Sequence, residues 1–363
     1  MEVVKENGDK LTVIENDGNG IKGDAKNIQP TNDFFNALFS DIRVSINSVE
    51  VGSTNNNHPQ IALLHNLLEY DEVFQQNVLK NSNIFYKDYQ YPANTSVIRY
   101  QYIQGSRRLK LYGRLNHNAF TTKRLLLPNM SVKIEMNRTC PAFSLIRTPG
   151  AQDKYKIKVH SIKLEVQHVV YKESILELLN DHSMNHVAHY PYTKTEMMRF
   201  EIPMGSSEHT SLQYSIAKMP KRAFFTVIEP ESLNGRNWEN NPMTFHAQHY
   251  GVNYVQFYSD HNKELLHRPY EPDFENENAN RSYTQLVRIA SDGFHTGCTP
   301  GLTNTDFLGP YGLFAIDNLP KYGRLTVKVG FSKPTPRLLH GIIFVQDDAS
   351  FTVHGKYGKV ENV

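Results

Sequence analysis

His182, His186 and His189 fall within eight residues, and the first two stand at i, i+4 in a segment of helical spacing. That spacing puts two imidazoles on one helix face, as zinc sites do, but zinc needs a third or fourth firm ligand. The flanking chain reads as a linker and supplies neither a Cys nor a partner motif. His246 and His249 in FHAQHYG would point to opposite faces of a strand, which makes them poor partners for one ion. Carboxylate pairs such as Asp347 with Asp348 and Glu275 with Glu277 raise glycoside hydrolysis, which holds two carboxyls across a sugar. With a single Trp and no aromatic groove pattern, they read as solvated loop charges. No Gly-X-Ser-X-Gly elbow, phosphate loop or Cys-X-X-Cys occurs. Catalytic, cofactor-binding and metal residues are therefore expected to be none, and the chain is read as a non-enzyme.

Two basic groups remain. Arg107, Arg108, Lys110 and Arg114 lie in a strand-like segment, and Lys218, Lys221 and Arg222 precede another. They have the chemistry to meet nucleic-acid phosphates without reading sequence. As ordinary sheet-edge charges they would equally discourage strand-on-strand aggregation, and that reading is preferred. DNA contact is thus expected to be non-specific at most.

The 363 residues carry 39 Lys and Arg against 37 Asp and Glu, a formal charge of +2, so no long basic tract exists. Cys140 and Cys298 form neither a disulfide framework nor a metal spacing, and both are expected to be buried free thiols in a reducing compartment. No apolar run approaches spanning length, so no membrane helix is expected. The first twenty residues lack a signal-peptide core, so synthesis in the cytosol is the expectation. The sequons at Asn94, Asn129, Asn137 and Asn280 are then read as chance.

The elements that must position these residues are mostly strands. Ile42, Val44 and Ile46 alternate with polar neighbours, as do Val132, Ile134 and Met136, and Leu325, Val327, Val329 and Phe331. The longest such run is YKIKVHSIKLEVQHVVY at 155–171. Its apolar parity switches at His160 and Ser161, where a β-bulge would return Ile162, Leu164 and Val166 to the core. Without a bulge, the switch would expose half the set. Residues 60–79 place Ile61, Leu64, Leu68 and Phe74 on one helical face, and 173–186 do the same with Ile175, Leu178 and Leu179. Beyond that second helix, MMRFEIPM, AFFTVI, GVNYVQFY, TQLVRIA, YGLFAID, RLTVKVGF and HGIIFVQ read as a further strand series. Phe224, Val227, Tyr254, Phe257, Leu325 and Val327 are its expected core.

Two strand series joined by a helix divide the chain into residues 1–172, a helical linker 173–190, and residues 191–363. Either part is long enough for its own core. Seven or so short strands with turn signals between them suit a β-sandwich.

Lys218 to Arg222, the Asn241–Pro242 step, the ladder Tyr250, Tyr254, Phe257 and Tyr258, and Pro272 to Glu275 in YEPDFENE form a set of distinctive phrases. They resemble phrases of the double jelly-roll major capsid proteins of the Polinton (Maverick) and adintovirus group. YGRLNHNAFTTKRLLLPNMSVKIEM at 112–136 and NDFFNALFSDIRVSINSVEV at 32–51 are similar to that group's corresponding segments. The likeness implies an all-β fold of two consecutive jelly rolls with short helices in the loops and linker. It implies a shell protein of the virion, made in the host cytoplasm and assembling there or in the nucleus, whose homotrimers form pseudo-hexagonal tiles alongside a penton or minor capsid protein. The group has a longer segment before LTVIEN, so the first jelly roll is expected to lack its initial strand. The loops 229–244 and 291–312 are the expected contributors to assembly. The residues alone leave open a jelly-roll carbohydrate-binding or glycan-acting module, or a domesticated remnant that no longer assembles.

Overall fold

The computed structural model describes residues 11–15, 28–87, 95–103, 108–128, 130–147, 155–167, 169–211, 214–215, 219–234, 242–260, 263–294, 299–355 and 358–362. The chain begins with β1 (Leu11–Glu15), β2 (Ile28–Pro30), α1 (Phe34–Ala37), β3 (Phe39–Ile46) and β4 (Val49–Ser53). Helices α2 (His58–Leu68), α3 (Glu72–Phe74), α4 (Lys80–Ser82) and α5 (Thr95–Ile103) follow. Then come β5 (Arg108–Leu109), β6 (Val132–Arg138), α6 (Pro141–Ser144), β7 (Leu145–Arg147), β8 (Tyr155–Val159) and α7 (Glu173–Asn185). The second strand series is β9 (Val187–Ile202), β10 (Glu208–Thr210), β11 (Tyr214–Ser215), β12 (Arg222–Ile228), α8 (Pro230–Leu233), β13 (Val252–Ser259) and β14 (Lys263–Glu264). It closes with α9 (Asn280–Phe294), α10 (Asn304–Leu308), β15 (Phe314–Asp317), β16 (Arg324–Phe331), β17 (Leu339–His354) and β18 (Lys359–Asn362).

Two antiparallel sheets face each other in the second series. One orders β15-β12-β17-β18 with β9 also on β17; the other orders β10-β16-β13-β14 with β11 on β16. Their shared core holds Phe224 and Val227 from β12, Phe257 from β13, and Leu325 and Val327 from β16, all fully buried. Tyr254 departs from expectation. A register shift between Val252 and Tyr254 turns it to the half-buried outer face, where Lys328 Nζ sits 6.0 Å from its ring centroid. The first series forms the smaller sheets β5-β1-β8, β2-β7 and β4-β3-β6. Ile42, Val44 and Ile46 enter a second core with Phe34, Tyr86 and Leu145, as their alternation predicts.

β9 and β17 pair without interruption from Leu339–Ile202 to His354–Val187. At about 3.3 Å per residue this ladder runs roughly 50 Å, long enough to serve both cores. Phe200 and Phe344 lie in the second-series core, whereas Tyr190, Phe351 and Val353 lie in the first.

Three further sequence expectations are corrected. TQLVRIA belongs to α9, because its buried residues Ser282, Leu286, Ile289 and Ala290 recur at helical rather than alternating spacing. The helical run 60–79 breaks after Leu68, and Asp71 caps a new start by accepting from Phe74 N at 2.7 Å. Phe74 consequently faces outward, stacked on Tyr70. In the 155–171 run the regular strand ends at Val159 with no bulge. Lys158, His160, Ile162 and Leu164 are all exposed, so the apolar set stays outside.

Candidate functional site

The predicted histidine cluster lies on α7 and just after it. The His182 and His186 rings stack at 4.0 Å, and both are exposed. His189 is on β9 with its carbonyl accepting from Arg124 Nη1 at 2.8 Å. No group of three or more His, Cys, Asp or Glu side chains is arranged for a metal among the described residues. His246 and His249 occupy a turn rather than a strand. His246 is buried and accepts from Glu229 N at 3.1 Å through Nδ1, while His249 packs edge-on against Tyr250.

Of the basic residues, Arg108, Lys110 and Arg114 are exposed, but only Arg108 is in a strand. Arg114 pairs with Glu69 at 2.9 Å, Lys221 pairs with Asp348, and burial lowers the Arg222 guanidinium. Arg107, Lys218, Asn241, Cys298, Asn94 and Asn129 lie outside the described residues. Cys140 is exposed rather than buried, because it precedes the first turn of α6 at the surface. Asn137 and Asn280 are exposed.

One row of side chains has the outline of a nucleophile with its base. His65 Nε2 lies 3.2 Å from Thr195 Oγ1, His65 Nδ1 lies 3.3 Å from Glu69 Oε2, and Arg114 holds the far carboxylate oxygen. A nucleophile must meet its substrate, and Thr195 does not. It is buried in β9, and its hydroxyl also accepts from Gln346 Nε2 at 3.1 Å. Burial acts to raise the Glu69 carboxyl, but His65 and Arg114 outweigh it and hold the group below its ordinary range. The row ties α2 to β9 and β17. Its members come from positions far apart in sequence, and only the i, i+4 spacing of His65 and Glu69 was visible beforehand.

A second polar group surrounds Asp33, which is fully buried at φ 49°. Its carboxylate accepts from Asn36, Asn66 and Asn83, the closest being Asn66 Nδ2 at 2.7 Å. Burial pushes its pKa up to about 6 against the pull of those amides. A third joins the two series: Asn32 Nδ2 donates to Tyr311 OH at 3.1 Å, and Lys87 Nζ donates to Asp306 at 2.7 Å. All three groups serve as internal struts, since buried polar atoms require partners of this kind.

The outer surface is where apolar chemistry remains uncovered. Half of the exposed large hydrophobic side chains among the described residues lie between Ile162 and Val187, including Val170 at 91% and Leu178 at 70% exposure. Residues 229–244 and 291–312, expected to carry assembly, are different. Their described parts bury Met243, Leu302, Phe307 and Tyr311 in the core. The described residues contain no helix long and apolar enough to cross a membrane.

Comparison with known proteins agrees with this architecture. No family model matches the chain. By sequence it is 22% identical over 361 residues to Uncharacterized protein F54H12.2 of Caenorhabditis elegans, covering 95% of this chain and 84% of that protein. By structure it is similar to a chain of the Sputnik virophage, with a TM-score of 0.59 and 11% identity over 98% of this chain and 80% of that one. The mavirus major capsid protein follows at TM-score 0.50 and 10% identity, covering 98% and 82%. A chain of the PBCV-1 virus capsid gives TM-score 0.51 and 9% identity, covering 99% and 91%. The chain has the double jelly-roll fold of these capsid proteins.

Proposed function

We propose that this chain is a viral major capsid protein whose copies associate into the shell of a virion. The observation that carries the reading is end-to-end likeness. The fold covers 98% of this chain in the Sputnik comparison, so both strand series and their connection are accounted for together. The polar rows inside the protein serve packing, which suits a wall rather than a reaction site. Residues 1–172 and 191–363 supply most of the two jelly rolls, with 173–190 as the linker, while Tyr190, Phe351 and Val353 at the far ends of β9 and β17 complete the core of the first.

The finer assignment, to the Polinton (Maverick) and adintovirus type, rests on the quoted phrases around Lys221, Pro242, Tyr254 and Pro272. On that reading three copies close into a pseudo-hexagonal tile, which meets a penton or minor capsid protein in the lattice. Light scattering on the purified chain tests the association, with a mass of three protomers expected. Negative-stain imaging tests the tile. A strict monomer at high concentration would contradict the reading.

A further inference from the structure

We propose that α7 of one copy docks on the exposed face of the β5-β1-β8 sheet of its neighbour. Each chain would thus carry both halves of one assembly contact. The inference rests on the capsid reading and names the surfaces that reading leaves open.

The first half is α7 itself. Leu176 and Leu179 are half-buried on its inner side, whereas Ile175 and Leu178 stand exposed along its outer edge. Neither hydrophobic core includes any α7 side chain among the described residues. Glu177 and Asp181 are exposed. At about 100° per residue they lie on the flank beside Leu178. The helix therefore offers an apolar edge bordered by negative charge.

The second half has the opposite charge beside the same apolar character. Arg108 and Lys158 both stand opposite Thr12 in the strand register, in one row across the sheet. Their neighbours Leu109 and Ile157 are buried beneath, which leaves both cations exposed on the outer face. Beyond β8 exposure recurs at every second residue, at His160, Ile162 and Leu164. Tyr112 adjoins them, its hydroxyl donating to Glu165 at 3.0 Å. A run of exposed apolar side chains beside one another in this way marks an interaction surface.

Charge decides what covers them. An acidic helix is repelled by anionic lipid, and membrane-surface helices are basic on their polar face. Nucleic acid would satisfy Arg108 and Lys158 but leave Leu178, Ile162 and Leu164 in water. A second copy of this chain satisfies both surfaces. Because helix and sheet face are different patches, the contact is head-to-tail, the type that closes rings.

The test is a charge-exchange experiment on the full chain, read as the concentration dependence of mass by light scattering. Glu177→Lys with Asp181→Lys should weaken association at least tenfold, as should Arg108→Glu with Lys158→Glu. Combining the two pairs in one chain should restore it. Leu178→Ser should weaken it with no change in the melting temperature of the separated chain, since no core includes that residue. A wild-type oligomer indifferent to all these changes overturns the contact and leaves the capsid reading standing. A wild-type chain that stays monomeric overturns both. Binding of wild-type chain to phosphatidylserine vesicles that is lost in Leu178→Ser assigns the helix to membrane and overturns the contact.

Discussion

Lys87 and Asp306 stand 219 positions apart in sequence, yet the Lys87 ammonium donates to the Asp306 carboxylate at 2.7 Å. Both side chains are almost wholly out of water, the carboxylate completely. Asp306 is also the third residue of a capping box, where its carboxylate accepts from Thr303 N at 2.7 Å while Thr303 Oγ1 caps Asp306 N. The pair thus fixes the start of α10 against the first-series segment that follows α4. Removing one partner of a buried pair leaves the other charge uncompensated.

Lys87→Ala should accordingly cost about 3–5 kcal/mol of unfolding free energy. Thr303→Ala, which removes a cap and leaves the charge pair, should cost about 1 kcal/mol. Urea titration of the two variants checks the ordering. Equal midpoints would show that the ion pair is not what holds this junction.

The register of β13 predicts a sharp contrast between close neighbours. Phe257 is fully buried opposite Val327, whereas Tyr254 lies on the outer face beyond the register shift. Phe257→Ala should cost about 3–5 kcal/mol, the range for a buried aromatic truncated to a cavity. Tyr254→Ala should cost less than about 1 kcal/mol, as surface changes do. Thermal melts of the two variants side by side check it, and a larger loss for Tyr254→Ala would overturn the assigned parity.

Much of this fold was legible where local pattern and burial agree. Ile42, Val44 and Ile46 alternate in sequence and line the first core, and α7 forms where its leucines predict a helix. The misreadings occur where neighbours decide. Leu286, Ile289 and Ala290 sit in a short apolar run that fits either period, and packing of α9 against the second-series core selects the helix. Ile162 and Leu164 alternate well, but no inner partner meets them, so alternation alone misplaces them in a core. The Thr195–His65–Glu69–Arg114 row was invisible because strand pairing and helix docking bring its parts together over 130 residues.

Gly341 is the third residue of β17 and stands between two neighbouring strands, opposite Phe200 on β9 and Val227 on β12. A side chain at Gly341 would run into the Phe200 ring, which itself stacks against Phe225 at 6.2 Å. Gly341→Ala should therefore destabilise by about 1–3 kcal/mol, the usual cost of overpacking a filled core. Pairing it with Phe200→Leu should recover part of the loss. An additive double variant in urea titration would show that the ring and the glycine are not coupled.

Acidification should weaken the protein through three buried imidazoles. Burial lowers the pKa of His58 and His246 from 6.5 to about 3 and that of His117 to about 4. All three are neutral in the folded chain near neutrality, whereas the unfolded chain takes up their protons below about pH 6.5. Their contribution is present above that pH and is lost as pH falls toward the folded values. At pH 5 each would cost about 2 kcal/mol relative to pH 7. Asp33 works in the opposite direction. Its folded pKa of about 6 lies above its ordinary 3.8, so its contribution is greatest at low pH and is lost as pH rises from about 4 to about 6. One carboxyl does not offset three imidazoles, and the net slope should be a loss on acidification. Urea midpoints at pH 7.5 and pH 5 measure it, with the lower midpoint expected at pH 5. His246→Asn keeps an acceptor for the Glu229 amide but removes one titrating ring, and should reduce the difference by roughly a third. Identical midpoints at the two pH values would mean that these histidines take up protons without unfolding the chain.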